Sequence, residues 1–207
     1  MDKKSVSSVI LRRLPTYLSY LKTLPAGTQY ISATGIAKAL SLGEVSVRKD
    51  LSAICDIGRP KIGYSVSELT VIIESFLGYD RMDTAIIAGA GKLGRALLDY
   101  SGFCEYGLSL VAAFDSEPSL WGKTEKGKAI LDIAQMPSFC RENQVHVGII
   151  AVPADSAQAI CNQMATYGIR AIMNFAPVHL HAPPEVLVKN ENIAISLAQL
   201  CKSAARI

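Results

Sequence analysis

The chain has 207 residues, 50% hydrophobic and 19% charged, with 15 glycines and 9 prolines. This excludes a disordered or collagen-like chain, and no apolar run reaches the ~18 residues that cross a bilayer. The net charge of +3 is uneven: residues 1–64 hold 10 Lys/Arg against 4 Asp/Glu, and residues 65–207 hold 11 against 14. A basic front on an acidic back points to an anionic partner at the N-terminal end, with chance scatter of surface charge as the plain alternative.

Residues 1–8 are polar and lack the apolar core of a secretory signal, so a cytoplasmic location is expected. From Ser5 to Leu24, apolar Val9, Leu14, Leu18 and Leu21 recur at helical spacing. Pro15 makes this one kinked helix or two short ones. Pro25-Ala26-Gly27 closes it. A short helix around Ile36, Ala37 and Leu40 follows, then a turn at Ser41-Leu42-Gly43 and a helix over Glu44–Cys55. Gly58–Tyr64 is too rich in Gly and Pro for a helix and reads as a hairpin. Ser65 and Glu68 have capping-box spacing. They start a helix that ends near Gly78, with Leu69, Ile72, Ile73 and Phe76 on its apolar face.

After Asp80, buried strands alternate with helices. The strands are Ala85–Ala88, Leu110–Phe114, Val147–Val152, Ala171–Phe175 and Val186–Val188. Such continuous apolar strands predict a parallel sheet covered on both faces. A mostly helical N-terminal part, residues 1–80, is thus followed by an α/β part. Cys55, Cys104, Cys140, Cys161 and Cys201 are odd in number and scattered. They suggest neither a disulfide framework nor a zinc site, and are expected as small buried apolar residues.

Gly89-Ala90-Gly91-Lys92-Leu93-Gly94 fits GxGxxG in the context that motif demands. It follows a strand and opens a helix, Lys92–Tyr100, and Asp115 closes the next strand 21 residues after Gly94. Gly89 permits the tight turn, Gly91 lets backbone approach a pyrophosphate, and Gly94 lets the helix pack closely on the strand. Asp115 accepts from ribose hydroxyls and repels a 2′-phosphate, which favours NADH and NAD+ over the phosphorylated dinucleotides. The alternatives are a Rossmann domain without a ligand, or one for another nucleotide such as coenzyme A. A hydride-transferring enzyme needs a placed acid or base. Of His146, His179 and His181, only His179 suits that role, and the His179/His181 pair lacks a third metal ligand. No catalytic or metal site is expected.

Ile36–Ile54 has the form helix, glycine-containing turn, helix. Val47, Leu51 and Ile54 share one face of the second helix, which leaves Val45, Ser46, Arg48 and Lys49 to enter a major groove. Arg48 and Lys49 suit guanine or phosphate, and Val45 suits a thymine methyl. Arg59 and Lys61 sit at the tip of the following hairpin, where a winged helix lays its wing along DNA. The plain alternative is that Arg48 and Lys49 are solvated charges.

The sequence resembles the Rex-type redox-sensing transcriptional repressors of bacteria over nearly its whole length. The resemblance rests on Val47-Arg48-Lys49-Asp50-Leu51-Ser52, Gly63-Tyr64, Gly89–Gly94 with Arg95-Ala96-Leu97, and Ala112-Ala113-Phe114-Asp115. It continues in Val152-Pro153-Ala154 and Asn174-Phe175-Ala176-Pro177-Val178. The expected fold is therefore α/β: an N-terminal winged helix-turn-helix domain (1–80), a Rossmann-type doubly wound parallel sheet (81–190) and a C-terminal helix (191–207). The resemblance implies a homodimer on double-stranded operator DNA of fermentative and anaerobic genes, released when NADH binds, with NAD+ competing for the same site. It adds Val152, Pro153, Asn174, Phe175, Ala176 and Pro177 to the dinucleotide site, and Gly63 and Tyr64 to the DNA-binding wing. It also implies that the C-terminal helix, with Ile193, Leu197, Leu200, Cys201 and Ala204 in a stripe, swaps onto the partner subunit. Packing on its own domain is the alternative. Two departures stand out. Pro60-Lys61 replaces the family's usual Arg-Gly in the wing, and Ser19 and Asn192 replace an Arg and an Asp able to pair between domains.

Overall fold

The computed structural model describes residues 7–124 and 126–204. Ser5 and Val6, where the first helix was expected to begin, and residues 205–207 lie outside them. The chain divides into two compact units, the second beginning at Met82.

The N-terminal unit contains α1 (Ser8–Lys22), β1 (Tyr30–Ile31), α2 (Ala33–Ala39), α3 (Glu44–Ile54), β2 (Tyr64–Ser65) and α4 (Val66–Leu77). α1 is one helix despite Pro15. The carbonyl that proline leaves without an N–H partner belongs to exposed Leu11, where water can satisfy it. Its buried stripe is Leu14, Tyr17, Leu18 and Leu21; Val9, expected on that face, is exposed. α2 is capped by the Ser32 hydroxyl, which accepts from the Gly35 N–H at 3.0 Å. α4 is capped by Ser65 accepting from Glu68 and ends at Gly78 in the left-handed conformation. Ile36, Val47, Leu51, Leu69 and Ile73 close the core against α1.

The expected hairpin is short: Arg59 bridges Gly63, and the chain then pairs elsewhere. β2 runs antiparallel to β1, with Tyr30 opposite Ser65 and Ile31 opposite Tyr64. This ties the start of α2 to the start of α4. Gly63 has φ +100°, and a Cβ there would lie 2.4 Å from the Ile31 carbonyl oxygen, so the crossing requires glycine.

The second unit contains β3 (Asp83–Ala88), α5 (Lys92–Leu98), β4 (Leu108–Asp115), β5 (Gly122–Lys123), β6 (Ala129–Asp132) and α6 (Met136–Glu142). It continues with β7 (Val147–Ile150), α7 (Ala154–Thr166), β8 (Ala171–Asn174), β9 (Leu187–Asn190) and α8 (Ile193–Ala204). The sheet order is β5-β6-β4-β3-β7-β8-β9. All pairs are parallel except β5 on β6. Leaving aside the β5 edge, this is the 3-2-1-4-5-6 order of dinucleotide-binding sheets, with its switch point between β3 and β7. Ile86, Ile87, Ala112, Ala113, Phe114 and Ile150 are buried, on both faces of the sheet as a doubly covered parallel sheet requires.

β5 and β6 were not expected. Cys140 and Cys161 are buried and Cys55 is half-buried, but Cys104 and Cys201 are exposed, contrary to expectation. No residue of α8 is buried. Ile193 is 64%, Leu197 58% and Leu200 65% exposed, so this helix is not packed on its own domain. Asn192 caps it, its Oδ1 accepting from the Ile195 N–H at 3.0 Å. Among the described residues no helix is long and apolar enough to cross a membrane.

Candidate functional site

The glycine-rich turn sits at the switch point, held by neighbouring strand ends. The Gly89 N–H donates to the Phe114 carbonyl at 2.7 Å, and the Ala151 N–H to the Ala88 carbonyl at 2.8 Å. Gly89 has φ +101°, and a Cβ on it would lie 2.5 Å from the Ala151 carbonyl oxygen. A Cβ on Gly94 would lie 1.8 Å from the Gly89 carbonyl oxygen, so α5 rests directly on the turn. A Cβ on Gly91 would meet nothing within 4 Å. Two glycines therefore serve packing, and the third leaves open space at the helix N-terminus, where backbone N–H groups favour anionic oxygens.

Asp115 ends β4 beside this turn. Its Oδ2 accepts from the Ala90 N–H at 2.6 Å and its Oδ1 from the Glu117 N–H at 2.9 Å. Each oxygen keeps a further lone pair for a hydroxyl donor. The Trp121 indole N–H donates to the Asp115 carbonyl at 2.9 Å, fixing the strand end from the other side. Lys92 and Leu93 are exposed at the start of α5.

The remaining dinucleotide candidates border the turn or close the next strand. Val152 is half-buried and is the side chain nearest a Cβ on Gly89, and Pro153 precedes α7. Asn174 is fully buried. Its Nδ2 donates to the carbonyls of Ala176 and Val178 and to Asn190 Oδ1, and its Oδ1 accepts from the Ala176 N–H at 2.9 Å. Asn174 therefore shapes the loop of Phe175, Ala176 and Pro177 with its polar atoms already engaged. Phe175 is half-buried, Ala176 buried and Pro177 exposed.

In the N-terminal unit, α3 presents Val45, Arg48 and Lys49 outward, with Ser46 half-buried beside them. Arg48 donates to Glu44 Oε1 one turn earlier. In the hairpin, the Arg59 guanidinium stands 5.9 Å from the centre of the Tyr30 ring, a cation–π arrangement. Lys61, at the glycine position of the wing, has φ +64°. Tyr64 is buried against Gly58 and the domain core, and burial pushes its hydroxyl pKa up. It thus holds the base of the hairpin.

Sequence reasoning missed Asp50, which is 2% exposed. Its Oδ1 accepts from Arg13 Nη2 at 2.7 Å and its Oδ2 from the Tyr17 hydroxyl at 2.6 Å. Burial, then the hydrogen bond to Asp50, pushes the Tyr17 pKa far above its ordinary value of 10. The signal was present: Asp50, between Val47 and Leu51, falls within the buried arc of α3. A carboxylate there must be paired. Among the described residues no group of His, Cys, Asp and Glu is placed to hold a metal ion. His146, His179 and His181 are exposed.

Comparison with known proteins agrees with this geometry. Residues 80–178 match the family model described as CoA binding domain, and residues 5–52 match that described as putative DNA-binding protein N-terminus. The redox-sensing transcriptional repressor Rex of Bacteroides fragilis is 39% identical over 95% of this chain and 90% of that protein. The Rex of Clostridium botulinum strain Alaska E43 is 36% identical, over 97% and 96%. Among solved structures, RSP in complex with β-NAD+ and operator DNA matches with a TM-score of 0.89 at 31% identity, covering 98% of this chain and 94% of that one. RSP in complex with β-NADH matches at 0.86 and 30%, covering 98% and 96%. The chain belongs to the Rex family of redox-sensing transcriptional repressors.

Proposed function

We propose that this chain is a homodimeric transcriptional repressor of the cytoplasm. It binds operator DNA through its N-terminal unit and leaves it when NADH occupies the C-terminal unit. The observation that carries this reading is the turn at the sheet's switch point. Gly91 opens onto free space there, and Asp115 is fixed 2.6 Å from the Ala90 N–H, in a chain that also carries a helix-turn-helix. The residues present fit a dinucleotide. The backbone of Gly89 to Gly94 faces the pyrophosphate, and Asp115 faces the adenosine ribose. Val152, Pro153 and the loop of Phe175, Ala176 and Pro177 border the rest. Asp115 disfavours a phosphorylated ribose, which sets NAD(H) above coenzyme A, whose ribose carries a 3′-phosphate.

On the other unit, Ser46, Arg48 and Lys49 read or grip the major groove, and Arg59 and Lys61 bind the adjacent backbone across the wing. Gly63 and Tyr64 hold that wing in place. α8 supplies the dimer contact, because an exposed stripe of Ile193, Leu197 and Leu200 needs an apolar partner. The chain is a regulator, not an enzyme. Switching requires NADH to prefer the DNA-incompetent state, and it shifts the equilibrium only by that differential affinity. The fermentative and anaerobic genes of the family's members are the expected targets.

Fluorescence anisotropy on DNA from the chain's own upstream region, at one fixed salt concentration, tests the reading. Tight binding reversed by NADH and not by NAD+ is the expected result. Tight binding indifferent to both nucleotides overturns the redox role, and no binding to any fragment overturns the repressor role.

A further inference from the structure

The Arg48–Glu44 pair lies on the face of α3 that the proposed function turns toward DNA, and the inference below rests on that reading. Arg48 is the best-placed base reader, with its side chain 64% exposed. Its Nη2 is held by Glu44 Oε1, four residues earlier on the same face. Arg48 also lines a shallow depression with Val45, Lys49, Ser52 and Ala53. An exposed i,i+4 pair and an acid in the first turn of a helix each add only modest stability, and on a DNA-facing surface the same carboxylate carries a cost. A carboxylate on a surface that meets a polyanion weakens non-specific attraction.

We infer that Glu44 is a specificity-determining residue: it fixes the Arg48 guanidinium for a base contact and keeps it from settling on phosphate. The guanidinium has five donors in a planar fork. Glu44 occupies one edge of that fork and leaves the others free for guanine O6 and N7, the pattern Arg reads best. Without Glu44, Arg48 reaches backbone oxygens in any sequence. Glu44 thus lowers affinity for random DNA more than affinity for the operator.

The test is a double-mutant cycle by fluorescence anisotropy at fixed salt, with full-length wild type, E44A, E44Q, R48A and E44A/R48A. The probes are the bound upstream fragment and a scrambled duplex of equal length. E44A is expected to bind the scrambled duplex more tightly and to lose about tenfold in discrimination. Its log-affinity against log-salt slope should steepen by about one ion, as Arg48 takes up a phosphate. E44Q, which keeps an acceptor for Arg48, is expected to retain much of the discrimination. In the R48A background, E44A is expected to leave discrimination unchanged. Equal changes on both duplexes, or the same loss of discrimination with and without Arg48, overturn the inference while leaving DNA binding intact. Failure of wild type to bind any duplex overturns the DNA-binding reading itself, and the inference with it. Thermal melting of E44A near that of wild type shows that the fold is unchanged.

Discussion

The carboxylate of Asp115 accepts a hydrogen bond from the Ala90 N–H at 2.6 Å, so the end of β4 and the glycine-rich turn after β3 are joined through one side chain. The same carboxylate faces the proposed ribose site and holds the turn that would receive the pyrophosphate. Asp115→Asn keeps the shape and removes the charge. A charge-assisted hydrogen bond contributes about 1.5–3 kcal/mol, so NADH affinity should fall roughly 10–150-fold. Removing the repulsion should let NADPH bind measurably. Titration of both nucleotides by intrinsic NAD(P)H fluorescence measures this, and wild-type NADH affinity in the variant would remove Asp115 from the site.

Gly91 and Gly94 separate ligand binding from folding. A Cβ on Gly91 meets no protein atom, and its φ of −64° is ordinary for any residue. Gly91→Ala should melt close to wild type and lose at least about tenfold in NADH affinity, because the methyl occupies space meant for phosphate. A Cβ on Gly94 overlaps the Gly89 carbonyl at 1.8 Å. Gly94→Ala must push α5 off the turn, an overpacking cost of about 1–3 kcal/mol or more. Melting and NADH titration of both variants give opposite patterns, and a large drop in the melting temperature of Gly91→Ala would contradict the assignment.

The dinucleotide turn was legible in the sequence because its logic is local: three glycines, a strand before, a helix after and one acid at the next strand end. The helix-turn-helix was legible for the same reason. Asp50 was not, because its partner Arg13 lies 37 residues away and only the packing of α1 on α3 brings them together. β6 was missed because it is four residues long and Ile130 is its one buried residue. β1 is two residues, with Tyr30 exposed, so no alternation could announce it. Asn174 carries a structural task that its motif did not announce: its buried amide donates to the carbonyls of its own loop.

The Arg13–Asp50–Tyr17 network makes the N-terminal unit sensitive to one substitution. Asp50→Ala leaves Arg13 with no buried partner for the guanidinium. Breaking a buried pair costs about 3–5 kcal/mol, and less here because the Arg13 side chain is 31% exposed. Against the roughly 5–15 kcal/mol stability of a typical domain, that is a large fraction of what keeps this unit folded. NADH binding resides in the other unit and should be unchanged. Denaturant titration followed by far-ultraviolet circular dichroism, with NADH titration alongside, checks both halves.

Tyr17 also gives this unit a pH dependence. In the unfolded chain its hydroxyl ionises near 10; in the folded chain burial, reinforced by Asp50, raises that value. A raised folded pKa means the stabilisation is complete below pH 10 and is lost as the pH rises past it. The loss is at most about 1.4 kcal/mol per pH unit. Tyr64, whose pKa is also raised by burial, acts in the same direction. Tyr17→Phe should therefore lose less stability than wild type between about pH 9 and 11, although it is less stable at neutral pH by about 1.5–3 kcal/mol for the lost hydrogen bond to the buried carboxylate. Equal losses in the two proteins would show that Tyr17 ionises freely in the fold.

Lys61 combines a strained backbone with the proposed DNA contact of the wing. Its φ of +64° places an L-residue in the left-handed region, which costs about 1–2 kcal/mol and which glycine adopts freely. Its exposed ammonium stands at the wing tip, where a phosphate contact is proposed. Lys61→Gly should therefore relieve the backbone strain, offset in part by the greater freedom of glycine in the unfolded chain. The N-terminal unit should gain up to about 1 kcal/mol, seen as a small rise in its melting temperature. The same variant should bind operator and scrambled DNA more weakly by similar factors. Its log-affinity against log-salt slope should be shallower by about one ion, since one phosphate contact is lost and no base is read. A loss confined to the operator would make Lys61 a base reader, and an unchanged slope would place the wing tip away from the backbone.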